Sequence, residues 1–135
     1  MTKVVGGYAA GIAAILFGLA VSVPPFHAEA QNLQRPIIEH AQEDLDTCAL
    51  GEVTGLKADG DGFLAVRAGP GTQYRKLDQL YNGDAVLLFD RKGKWLGIVY
   101  GVAELSCSPI RESRPVPHRG RKGWVHENWI RVIAG

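Results

Sequence analysis

Leu64-Ala65-Val66-Arg67-Ala68-Gly69-Pro70-Gly71-Thr72 begins as a strand and stops as a turn. Leu64 and Val66 alternate with other residues, as a strand with one buried face requires. Gly69-Pro70-Gly71 then halts it: proline fixes one φ, and glycine permits the opposite sign. The same grammar recurs on both sides. Glu52 to Leu56 reads as a strand, Asp59-Gly60-Asp61-Gly62 as a turn cluster, and Phe63 to Val66 as the next strand. Asp84 to Phe89 alternates as a third, Asp90 to Lys94 makes a tight turn with Gly93 at its centre, and Trp95 to Tyr100 returns. Gly123 to His126 and Ile130 to Ile133 complete the set. Five or so short strands with almost no helix predict an all-β domain, a small barrel or sandwich, of which barrel closure would also remove exposed sheet edges. Leu64, Val66, Leu80, Val86, Leu88 and Val125 are the apolar set it would bury.

Two stretches depart from this texture. Residues 101–121 contain Pro109, Pro115, Pro117 and Cys107 and have poor strand character, so they read as a long loop inserted between strands. Loops of that length in a small domain are mostly functional or disordered. Residues 31–47 carry Pro36, Ile37, Ile38, Ala41 and Leu45 at spacings that fit a short helix, or else a linker. Charge is also uneven. The 135-residue chain has a net charge of +1, which gives no global field for nucleic acid. Yet acidic residues crowd Glu39 to Asp61, and Arg111, Arg114, Arg119, Arg121 and Lys122 crowd the end of the insertion.

Residues 1–30 look like a processing segment. Lys3 precedes an uncharged run from Val4 to Val23, Pro24-Pro25 breaks it, and Ala28-Glu29-Ala30 has the small-x-small cleavage pattern. The expectation is a signal peptide cleaved after Ala30, the alternative an N-terminal membrane anchor, since the apolar run is long for a signal. Either delivers the remainder, periplasmic or secreted, outside the cytoplasm. In that compartment Cys48 and Cys107 are expected to form a disulfide, which would stabilise the fold by about 3–5 kcal/mol. A catalytic thiol is the alternative, with His40, His118 or His126 as its partner.

The quoted stretch closely resembles the L-N-V-R-x-G-P-G-T signature of bacterial SH3 domains. Leu80-Tyr81-Asn82-Gly83-Asp84-Ala85-Val86 is similar to the family's L-x-x-G-x-x-V segment. Gly93-Lys94-Trp95 and Gly123-Trp124-Val125-His126 match its G-x-W and G-W-V close, with Trp129-Ile130 following. The likeness runs from about Gly51 to Ile133. Ala65 stands where the family usually has asparagine, and the 101–121 insertion is longer than the usual connection. The resemblance implies an SH3-like barrel over 48–135. Arg67, just after a core strand, is expected to pair with a carboxylate or a backbone carbonyl and so orient the loop. It implies binding, typically to cell wall or short peptides, with no catalysis and no cofactor.

Tyr74, Tyr81, Trp95, Tyr100 and Trp129, with Trp124 beside them, are the candidate platform, because aromatic faces bind glycans and extended peptides over large areas. The bland alternative is core packing, which suits Trp95 and Trp124 best. Arg111, Arg114 and Arg119 either meet an anionic partner or form a solvated run. His118 and His126 have no recognised metal-ligand spacing, and no nucleophile elbow or phosphate loop is present. Two functions remain: an envelope module for cell-wall glycan or peptide, or an inhibitor or immunity-type protein that caps a partner enzyme through residues 101–121. A membrane would be met only through an uncleaved N-terminus.

Overall fold

The computed structural model describes residues 32–57, 62–102 and 107–135, with isolated positions 2, 6, 7, 11 and 18. The signal or anchor assigned to 1–30 and most of the 59–62 turn lie outside the described residues. Among the described residues nine strands follow in order: β1 (Ile38–Glu39), β2 (Ala49–Val53), β3 (Leu64–Arg67), β4 (Lys76–Leu80), β5 (Ala85–Lys92), β6 (Trp95–Tyr100), β7 (Arg114–Pro115), β8 (Arg121–His126) and β9 (Ile130–Ala134). One 3-10 turn, Glu127–Trp129, joins the last two. No helix among the described residues is long and apolar enough to cross a membrane.

Seven strands form one antiparallel sheet in the order β4-β3-β8-β6-β5-β2-β9, and β1 pairs with β7 in a separate two-stranded ladder. The sheet curls, since all its strands deliver side chains to a single inner cluster. Val53, Leu64, Val66, Leu80, Val86, Leu96, Ile98, Tyr100 and Val125 are buried there, with Leu88 and Ile130 packed alongside. Every member of the expected apolar set falls in or against this cluster.

The barrel does not close. Strands β4 and β9 end the sheet without pairing to each other. A physical reason lies on β4, whose edge amides are satisfied locally. The Gln79 N–H donates to Asp78 Oδ1 at 2.8 Å, and just past the strand the Tyr81 N–H donates to Asp84 Oδ2 at 2.7 Å. Edge donors capped this way offer nothing to a further strand. Strand β4 itself was not expected, because Lys76, Asp78 and Gln79 give it a polar texture.

A second correction concerns Gly69-Pro70-Gly71. Neither glycine has a positive φ; among the described residues the glycines that do are Gly55, Gly83, Gly93 and Gly101. Gly69 is needed for space: a Cβ there would lie 2.5 Å from the Tyr74 ring. At the β5–β6 hairpin the turn is shorter than the expected Asp90 to Lys94: Asp90, Arg91 and Lys92 stay in β5 paired with β6, and Gly93, at φ 60, sits in a two-residue turn between Lys92 and Trp95.

The outer face of the sheet is covered too. Residues 32–47, open between helix and linker, are neither. Gln34 and Arg35 donate their N–H groups to the Ala68 carbonyl at 2.9 and 3.1 Å. Ile37 is buried, and β1 then pairs with β7 of the insertion in the register Ile38↔Pro115 and Glu39↔Arg114. Beneath this cover lies a second cluster of Ile37, Cys48, Leu87, Phe89, Val99, Val116 and Trp124. Leu87 and Phe89 alternate with the inward Val86 and Leu88, so β5 is buried on both faces. Gly97 admits the cover closely, as a Cβ there would meet Ile37 Cγ2 at 2.8 Å. Cys48 and Cys107 form the expected disulfide, Cα–Cα 5.4 Å, which ties the insertion to the start of β2.

Candidate binding surfaces

Tyr81 and Trp129 are the most exposed of the expected aromatic platform, at 50% and 37%. Trp129 packs on one clamped segment, residues 54–56, and Tyr81 immediately precedes the residue that clamps it, with its hydroxyl on Gln79 Nε2. The Asn82 side chain holds Leu56 at two points: its Oδ1 accepts the Leu56 N–H at 3.0 Å, and its Nδ2 donates to the Leu56 carbonyl at 2.9 Å. The Thr54 N–H donates to the Trp129 carbonyl at 2.9 Å, and the Trp129 ring lies against Gly55. Gly83, at φ 90, turns the chain from β4 into β5 and donates its N–H to Val53 at 2.8 Å. Two aromatic rings thus stand on a hydrogen-bonded rim.

The other four aromatics do not join them. Tyr74 sits at the opposite end of β4, a five-residue strand that spans roughly 16 Å at about 3.3 Å per residue. Its hydroxyl accepts from Arg35 Nε at 3.3 Å, and its carbonyl accepts from Arg67 Nη1 at 3.0 Å, the loop-orienting bond expected of Arg67. Trp95 is half-buried against the outer cluster, with its ring edge-on to His126 at 5.4 Å. Tyr100 is only 1% exposed, so it presents no face to a ligand. Its hydroxyl bonds to Asp78 Oδ2 at 3.0 Å, and the Arg121 guanidinium, itself paired with Asp78, stacks over its ring at 4.9 Å. Trp124 is fully buried and donates its Nε1–H to the Arg35 carbonyl at 3.0 Å. Its motif neighbours Gly123 and Val125 are buried with it, and Pro70 and Gly71 stay in the turn after β3.

The arginines of the insertion part company in the same way. Arg114 Nε pairs with Glu39 Oε2 at 2.9 Å. Glu39 is buried, and its other oxygen accepts from the Thr47 hydroxyl at 2.6 Å. Arg111 lies away from them, bordering a hollow shared with Glu43 and Asp44. Arg119 lines a groove of about 380 Å³ between the lead-in and the insertion. Phe89, Val116, Pro117 and the half-cystine Cys107 form its apolar part, and Glu39, Ser108, Arg114 and His118 join Arg119 in its polar part.

A second buried carboxylate holds the lead-in to β5. Asp90 Oδ2 accepts the Ile38 N–H at 2.9 Å, and Oδ1 lies 2.8 Å from both His40 Nε2 and the Arg91 N–H. Burial alone pushes this carboxyl up. The Ile38 N–H, His40 and the Arg91 N–H together outweigh it, so the group titrates below its ordinary 3.8. Burial pushes the Lys122 ammonium down from 10.5, and Lys122 Nζ donates to the His118 carbonyl. Sequence reading missed Glu39, Thr47, Phe89 and Asp90. Phe89 was legible in principle, since Val86-Leu87-Leu88-Phe89 is an unbroken apolar run of the kind a strand buried on both faces shows. Asp90 looked like a turn residue, and nothing local distinguishes the two roles.

A curled antiparallel sheet, exposed aromatics on a fixed rim and a groove under a stapled insertion define a small SH3-like binding domain. The chain belongs to the bacterial SH3 domain family, whose model matches residues 62–131. That family comprises binding modules of the cell-wall type and is in general non-catalytic. No curated protein and no solved structure matches the chain. The lead-in and β2 precede the matched residues.

Proposed function

We propose that the protein is a non-catalytic binding module of the bacterial cell envelope that recognises peptidoglycan or a short peptide through the rim bearing Tyr81 and Trp129. The observation that carries this is the pairing of exposure with fixation. Two large rings stay out of either core: Trp129 lies against Gly55, and Tyr81 directly precedes Asn82, whose side chain clamps the adjoining Leu56. Rings held this way give contact area at little entropic cost. The Cys48–Cys107 disulfide suits an oxidising compartment, and Ala28-Glu29-Ala30 supplies a cleavage site for periplasmic or secreted delivery.

Co-sedimentation with purified peptidoglycan tests the reading. Wild type is expected in the pellet, with retention lowered about tenfold or more by Tyr81→Ala or Trp129→Ala, about the 1.4 kcal/mol that one anchoring ring supplies. A wild type that stays in the supernatant overturns it. Mass measurement of the exported protein checks the compartment, with a start at Gln31 expected.

One observation favours the inhibitor reading as a second possibility. The insertion is held by the disulfide, the β1–β7 ladder and the Glu39–Arg114 pair, so it is displayed preformed. A partner enzyme captured tightly, and lost on deleting 111–119, would favour that reading over wall binding.

A further inference from the structure

The groove under the insertion has a composition that the rim lacks. Its polar atoms are mostly donors. Arg114 spends only Nε on Glu39 and keeps its two terminal amino groups. Arg119 is exposed and makes no ion pair among the described residues. His118 Nδ1 accepts the Gly120 N–H at 3.4 Å, which leaves its proton on Nε2. The carboxylate in the groove, Glu39, is already engaged by Arg114 and Thr47. Beside these donors lies an apolar floor of Phe89, Val116 and the disulfide. At about 380 Å³ the groove is at the small end of ligand sites and suits a residue or two of peptide.

A polar side made mostly of donors, Arg114, Arg119 and His118, with Ser108 able to donate as well as accept, is set against an apolar floor and selects an anion with an apolar side chain. Guanidinium groups favour planar carboxylates in particular, because two parallel N–H···O bonds form at once. We infer that this groove is a second binding site, for the free carboxyl terminus of a short peptide. The terminal carboxylate would lie on Arg119 with Arg114 and His118 beside it, and the last side chain on Phe89 and Val116. The site is preformed, because the disulfide and the β1–β7 ladder fix both walls before any ligand arrives. The inference rests on the reading of the domain as a peptide-binding module, while naming different residues from the rim.

The test is an amide chemical-shift titration of the full exported chain with three probes: N-acetyl-Ala-Leu as the free acid, its carboxamide, and inorganic phosphate. The acid is expected to shift the Phe89, Val116 and Arg119 amides saturably, with the carboxamide at least tenfold weaker and phosphate not saturating over the same range. Arg119→Gln, at an exposed position that leaves the fold intact, should weaken the acid about tenfold and leave the carboxamide unchanged. Equal binding of acid and carboxamide, an Arg119→Gln variant like wild type, phosphate matching the acid, or no saturable shift would each overturn the inference. Peptidoglycan retention is scored separately. Loss of the acid with retention intact removes the groove alone, whereas loss of retention with acid binding intact removes the rim alone.

Discussion

The two faces of the sheet carry clusters of similar chemistry and different origin. The inner cluster is built by strands alone: Val66, Val86, Ile98 and Val125 alternate along β3, β5, β6 and β8 and point to one centre. The outer cluster needs a lid from elsewhere in the chain. Ile37 comes from the lead-in and Val116 from the insertion, and Trp124 reaches back 89 residues to the Arg35 carbonyl. The inner face therefore forms wherever the sheet forms, while the outer face depends on two flanking segments staying in place. Nature's choice here is to staple them with a disulfide and two buried carboxylates. Both the groove and the display of the insertion exist only because of that lid.

The comparison can be broken most forcefully at the staple. Replacing both Cys48 and Cys107 with serine should cost about 4 kcal/mol by loop entropy for a separation of 59 residues. Limited proteolysis should then cut the insertion first. Simultaneous digestion of lid and sheet would show that the two faces are one cooperative unit.

Ile98→Ala strikes the inner cluster instead and should cost about 3 kcal/mol. Urea unfolding followed by circular dichroism should show a single earlier transition, with no lidless sheet left behind. A variant with loosened lid and unchanged midpoint would contradict the assignment of faces.

Asp90→Ala should cost about 2 kcal/mol, because the partly buried Ile38 and Arg91 N–H groups lose their acceptor. Its pH dependence is informative. The folded-state pKa lies below 3.8, so the contribution is fully present above that value and fades as pH falls through the lowered one. Wild type should therefore lose part of its advantage over Asp90→Ala between pH 4 and lower pH in urea titrations. A constant gap between them would mean that the charge is not what holds the lead-in.

Trp129→Ala should barely move the unfolding midpoint, by less than about 1 kcal/mol, since the ring is exposed. A large destabilisation would place that ring in the structural account of the inner face and out of the binding rim.

The inner face was legible because strand alternation is a local signal. Leu64, Val66, Leu80, Val86, Leu88 and Val125 could be picked from spacing, and the glycine-punctuated motifs ordered them. The outer face was hidden by the same logic: Leu87, Phe89 and Val99 occupy the positions that alternation assigns to solvent. The aromatic platform was only half readable, because exposure of Tyr81 and burial of Tyr100 depend on which strands cross above them. Residue type is the same in both cases. Among the arginines, Arg114 found a buried carboxylate 75 positions away and Arg119 did not.

Sequence alone determined the all-β class, the turn positions at Gly69-Pro70-Gly71 and Gly93, the pairing of the two cysteines and the set of inward aliphatics. These follow from short-range sterics and from the scarcity of partners for each cysteine. Only the tertiary structure decided that the sheet stays open, that residues 32–47 lie along its outer face, and that a donor-lined groove opens beneath the insertion. Such outcomes rest on contacts between segments far apart in the chain, whose meeting no local pattern records.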